Sequence, residues 1–71
     1  MDELKLLEIF SNNLRRMMNE DKMTQGDLAK EINVDQSMIS RYVSGQSLPS
    51  LLTTIKIADA LFCSIDELIK E

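Results

Sequence analysis

The chain has 71 residues, 44% of them hydrophobic and 28% charged, with a net charge of −4, which is enough for one small domain and no more. One proline and two glycines suit a helical domain with a buried core and exclude a disordered chain. His is absent and Cys63 stands alone, which removes an internal disulfide, the usual metal ligands and the commonest general base; neither catalysis nor a cofactor is expected. No apolar run approaches the ~20 residues that cross a bilayer. The acidic start MDELKLLEIF lacks the basic region of a signal peptide, so a cytoplasmic location without membrane partners is expected.

A first helix is expected from about Glu3 to Asp21 behind an Asp2 cap, with Leu7, Phe10, Leu14, Met17 and Met18 on one side. Leu4, Leu6 and Ile9 flank that stripe and give the early turns more apolar surface than one small core absorbs. The polar run Glu20-Asp21-Lys22 loosens its end. Thr24 is a good cap for a second helix, with Asp27 near the positive end of the helix dipole and Leu28, Ala29 and Ile32 facing inward. Asn33 enters the left-handed region at little cost, and Asp35 is placed to cap a third helix. One left-handed residue and one cap suffice for a tight turn between helices.

The third helix runs from Gln36 to about Ser44. At helical spacing Gln36, Ser37, Ser40, Arg41 and Ser44 share an arc of ~140°, and Met38, Ile39, Tyr42 and Val43 take the opposite side. Gly45 stops the helix and Gln46-Ser47 form a loop. Ser50 caps a fourth helix, about Leu51 to Phe62, expected to turn Leu51, Ile55, Ala58 and Leu61 inward. Ser64-Ile65-Asp66-Glu67 fits a capping box that opens a short fifth helix ending with Leu68 and Ile69. With no repeat and no strand pattern, the chain reads as all-α.

The polar arc of the third helix carries no acid; its one charge is Arg41. Solubilising helix faces are usually built from Glu and Lys, and this one is built from Gln and Ser. Gln pairs with adenine through both amide groups, Arg with the two acceptors of guanine, and Ser with several base edges. A helix with one buried side and this arc outward has the chemistry to read the major groove. A merely solvated face is the alternative.

The stretch TQGDLAKEINVDQSMISRYVSG resembles the helix-turn-helix of the phage-repressor and Cro-like family, also called XRE. LPSLLTTIKIADALFCSIDELI resembles that family's fourth and fifth helices, so the likeness covers about Met17 to Ile69. It implies a five-helix repressor-like DNA-binding domain spanning residues 1–71, with the helix-turn-helix core at 24–45. Gln36, Ser37, Ser40 and Arg41 are then the candidates for base contacts. Gln25, Ser44, Gln46, Ser47, Arg15 and Lys22 are the candidates for phosphate contacts, with Arg16 as a further outer cation. Asn33 stands where the family usually has a turn glycine. Met18 and Val43 stand where many members pair Arg with Glu; replacing both charges avoids stranding one, so these two side chains are expected to pack together. One phosphate contact is given up with that Arg.

A net negative charge is unusual for a DNA-binding chain. Much of it lies at the two ends (Asp2, Glu3, Glu8, Asp66, Glu67, Glu71), which the inferred fold holds away from the third helix, and screening mutes charges beyond ~8 Å. Few cations still imply weak binding by one copy, so a homodimer on double-stranded operator DNA is expected, with its two reading helices ~34 Å apart. Leu52, Phe62, Leu68 and Ile69, with apolar residues of 1–10, are candidates for the dimer surface; Phe62 topping the core is the alternative. Cys63 is expected to fill an apolar site. The function expected is that of a transcription regulator, a repressor, from a bacterium, phage or mobile element. An antitoxin-like or other protein-interaction role on the same fold, with DNA binding secondary, is a second reading. A helical module that does not bind DNA is a third.

Overall fold

The computed structural model describes residues 1–71 as five helices with no strand: α1 (Glu3–Glu20), α2 (Gln25–Ile32), α3 (Gln36–Val43), α4 (Leu51–Ala60) and α5 (Ile65–Ile69). Four starts are capped by side chains. Asp2 accepts from the Lys5 amide at 2.8 Å, and Ser50 accepts from Thr53 at 3.1 Å. Thr24 with Asp27, and Ser64 with Glu67, form reciprocal capping boxes. Asp35 departs from expectation. It occupies the cap position of α3 with extended backbone, but its carboxylate makes no cap hydrogen bond, so α3 starts because of the turn before it.

The first four helices end alike. Lys22 (φ 55°), Asn33 (59°), Gly45 (77°) and Phe62 (53°) are left-handed, and each is followed by an amide that reaches back five residues. These bonds are Met23 to the Met18 carbonyl at 2.8 Å, Val34 to Ala29 at 2.9 Å, Gln46 to Arg41 at 2.9 Å and Cys63 to Ala58 at 3.0 Å. This Schellman geometry satisfies carbonyls that a helix end leaves free. It uses glycine only at Gly45, where an added Cβ would also stand 3.4 Å from the Ser11 hydroxyl of α1.

The helices approach one another in a closed ring, α1–α3–α2–α4–α5 and back to α1. The α3 helix touches only α1 and α2, and α5 touches only α1 and α4. Phe10, Leu14, Leu28, Ile39, Ile57 and Leu68 are the large, fully buried side chains of the shared core, and every helix contributes to it. Ala29, buried between helices, keeps the α2–α3 crossing close. Met18 and Val43 lie in the same buried cluster and line the same groove, so the site of a possible ion pair is apolar on both sides. The Asn13 amide in α1 donates to the carbonyls of Leu68 at 3.0 Å and Lys70 at 2.9 Å. It satisfies carbonyls at the end of α5 and fastens that short helix to α1.

Three expectations about facing are corrected. In α1, Leu7 is half-buried while Ile9 is buried. In α4, Leu51 is 72% exposed and Ile55 is exposed; Thr54, Ile57 and Ala58 face the core, with Leu61 just beyond the helix end. Leu68 has no exposed surface at all and therefore leaves the set of dimer-surface candidates.

Candidate nucleic-acid interface

The two capped turns on either side of α3 present its polar arc. Ile39, Tyr42 and Val43 are buried behind it against α1 and α2, and Met38 is half-buried. Gln36, Ser37, Ser40, Arg41 and Ser44 are all exposed. Arg41 takes part in none of the three ion pairs, which belong to Lys5 and Arg16. Within the arc only the Ser44 hydroxyl is engaged, donating to the Arg41 carbonyl at 3.2 Å. The side chains of Gln36, Ser37, Ser40 and Arg41 make no hydrogen bond within the protein, so their capacity is unspent, as a helix that reads base edges requires.

Beside this arc a groove is lined by Arg15, Met18, Lys22, Thr24, Gln25 and Val43, among others. It brings two cations to the start of α2, where free amides and the helix dipole favour an anion. The expected phosphate contacts Arg15, Lys22 and Gln25 are therefore gathered in one place. Arg15 also donates to the Asn12 side-chain oxygen. Asp27, at the same helix start, is engaged in the cap: its carboxylate accepts from the Thr24 amide at 3.0 Å. The backbone and side-chain hydrogen bonds of Thr24 hold the carboxyl below its ordinary value of 3.8, so it stays ionised inside the turn. On the other flank of α3, Gln46 is exposed and Ser47 half-buried.

The neighbouring residues Arg15 and Arg16 part company. Arg16 pairs with Glu20 at 3.4 Å and faces a separate hollow with Glu67, Lys70 and Glu71, so it drops out of the phosphate set. Some of the terminal acids gather at this end: Glu67 and Glu71 line the hollow, and Lys5 pairs with Glu71 at 3.5 Å and with Glu8 at 4.0 Å. As α1 stands between α3 and α5, this acidic end is set apart from the polar arc.

A second surface was only partly foreseen. Phe62 is 94% exposed and Leu52 62% exposed, which removes the alternative that Phe62 tops the core. Leu51 and Ile55 join them on the outward side of α4, and Ile69 is also exposed, on α5. The signal for Leu51 and Ile55 was present in the sequence: Leu51, Leu52, Ile55, Ile57, Ala58 and Leu61 leave α4 with apolar residues on more than one side.

A family model described as helix-turn-helix matches residues 14–68. The chain belongs to the XRE-type helix-turn-helix family. It is 40% identical over 65 residues to the cryptic phage CTXphi transcriptional repressor RstR of Vibrio cholerae serotype O1, a match covering 92% of this chain and 54% of that protein. Among solved structures it resembles the SOS-response transcriptional repressor LexA from Eubacterium rectale, with a TM-score of 0.90 at 27% identity over 94% of this chain and 71% of that one. The restriction-modification controller protein C.AhdI from Aeromonas hydrophila follows the same fold, with a TM-score of 0.80 at 30% identity over 94% of this chain and 96% of that one. The chain spans about half the length of the curated relatives it matches. As an XRE-type domain it is of the DNA-binding kind that transcription regulators carry, and α2 and α3 are its helix-turn-helix. No helix is long and apolar enough to cross a membrane, and no group of three or more His, Cys, Asp or Glu side chains is placed to hold a metal ion.

Proposed function

We propose that this XRE-type domain binds double-stranded operator DNA sequence-specifically, as a cytoplasmic repressor acting as a homodimer with α3 in the major groove. The observation that carries the reading is the exposed, acid-free arc of α3. Gln36, Ser37, Ser40 and Arg41 contact base edges there. Gln25, Arg15 and Lys22 hold phosphates on one flank, and Ser44, Gln46 and Ser47 hold them on the other. With Arg15 and Lys22 as the phosphate cations, a dimer neutralises about four phosphates, so log K falls with log salt at a slope of about −4. The second copy is favoured by the exposed apolar side chains of this region: Leu51, Leu52 and Ile55 on α4 and Phe62 just beyond its end. A protomer 31 × 21 × 21 Å across is of the right size to place two copies of α3 ~34 Å apart, one DNA turn.

Selection of bound duplexes from a random library, with the parent and Arg41→Ala side by side, tests the reading. The parent enriches a two-fold repeated sequence, and the variant loses its preference at one position in each half. Equal affinity and equal preference for the two would overturn it. The same apolar face also supports a second reading, an antitoxin-like role in which a different protein covers α4; a protein that co-purifies in fixed ratio and displaces the self-dimer decides for it.

A further inference from the structure

Gly26 is the second residue of α2, with no left-handed backbone to justify it. Glycine is the poorest helix former after proline, so a position of this kind ordinarily favours alanine. A Cβ added to Gly26 would stand 3.3 Å from the Oε1 and 3.8 Å from the Cδ of Gln36 on α3. The missing methyl is therefore the space against which the Gln36 carboxamide rests. Contact with an added Cβ at 3.3 Å is tight enough that the amide would have to shift by a few tenths of an ångström.

We infer that Gly26 is a positioning residue for base recognition: by lacking a side chain it lets the Gln36 amide lie back on the start of α2, and so fixes which base edge that amide meets. The inference rests on the proposed reading of α3 as the helix that contacts bases. Bidentate Gln contacts depend on the amide plane being aligned with the base, and a side chain with three rotatable bonds gains alignment when a neighbouring helix limits its swing. The seat also lies next to Gln25, the proposed phosphate anchor, so the register of α2 on the backbone and the aim of Gln36 are set by adjacent residues.

Gly26→Ala and the larger Gly26→Leu separate this role from a structural one, because fold stability and base preference are expected to move in opposite directions. Both variants melt at or above the parent temperature. In selection from a random duplex library, Gln36→Ala loses its preference at one base pair per half-site, a discrimination of roughly 5- to 150-fold. Gly26→Ala weakens the preference at that same pair and Gly26→Leu abolishes it, while the positions that depend on Arg41 keep theirs. Combining Gly26→Leu with Gln36→Ala adds nothing at that pair, since the glycine acts only through the glutamine. If Gln36→Ala changes one pair but the glycine variants retain the parent preference there, or alter all positions equally, the positioning role is overturned and the reading of α3 stands. If Gln36→Ala selects the same sequence as the parent while Arg41→Ala does not, the positioning role is overturned and the reading of α3 stands on Arg41. If the parent selects no sequence, the reading of α3 falls and the positioning role falls with it.

Discussion

The helices α3 and α4 are both short, and both bury one side in the common core, yet their outward sides are opposites. That of α3 is polar, free of acids and almost free of internal hydrogen bonds. That of α4 carries Leu51, Leu52 and Ile55 beside Lys56 and Asp59, and just beyond the helix stands Phe62, 94% exposed in a left-handed conformation. Neither is a common solubilising surface of mixed Glu and Lys. The ring of contacts keeps them apart, because α3 touches α1 and α2 while α4 touches α2 and α5. The contrast teaches that a small domain can leave two kinds of surface unsatisfied, one suited to base edges and phosphates and one suited to another apolar surface, and assign each to a different helix.

The strongest way to disturb that division is to break what holds α3 in place. Met18→Arg puts a charge into the apolar cluster where Val43 offers no partner, and a buried charge without its partner costs about 3–5 kcal/mol. In a domain of this size that removes most of the stability, and a urea or thermal melt reads it directly. Adding Val43→Glu restores much of the loss; a single variant that melts like the parent would refute the packing.

A crossed pair of substitutions tests whether the two faces are independent. Arg41→Ala lowers specific DNA affinity by about 1–3 kcal/mol and leaves self-association, measured by sedimentation, unchanged. Leu52→Asp does the reverse at the protein level: it dissolves the self-dimer while one protomer keeps its base preference. If each substitution altered both properties equally, the separation of the faces would be wrong.

Phe62 gives a smaller and more pointed effect. Glycine accepts the left-handed backbone that costs an L-residue roughly 1–2 kcal/mol, and little buried area is lost with a side chain that is 94% exposed. Phe62→Gly therefore raises the stability of the monomer by about 1 kcal/mol, a gain of several degrees in Tm, and weakens association at high concentration. A fall in Tm under dilute conditions would mean that the ring already supports the fold of one copy.

The smallest expected effect is at the start of α2. A carboxyl held below its ordinary 3.8 adds stability that is present above that value and lost as pH falls through the lower folded-state value. Asp27→Ala is therefore less stable than the parent at neutral pH. The gap between the two closes only below about pH 4, in a series of melts across the acid range.

Much of this molecule was legible from local pattern. The starts of α1, α2, α4 and α5 follow from Asp2, Thr24, Ser50 and Ser64, because a cap acts on amides two or three residues away. The division of α3 into polar and apolar sides follows from helical spacing, which needs no knowledge of what lies behind. Asn33 as a turn residue follows from its tolerance of positive φ. In each case the cause and the effect lie within one turn of chain.

The rest was decided by which helix lies against which. Apolar residues on more than one side of α4 leave its period without a choice of face, and only packing against α2 and α5 turned Ile57 in and Ile55 out. Leu68 is buried because α5 packs on α1, where Asn13 fastens it by a contact across 55 residues. Arg15 and Arg16 are adjacent in sequence but about 100° apart on a helix, and the neighbours of each made one a groove cation and the other a partner of Glu20. The seat of Gln36 on Gly26 joins two helices in the same way. The sequence by itself determined where helices begin and which side of α3 is polar, since those are short-range properties of the chain. Tertiary structure alone decided how the remaining apolar and charged side chains are shared between core and surface, since burial depends on partners that no local window contains.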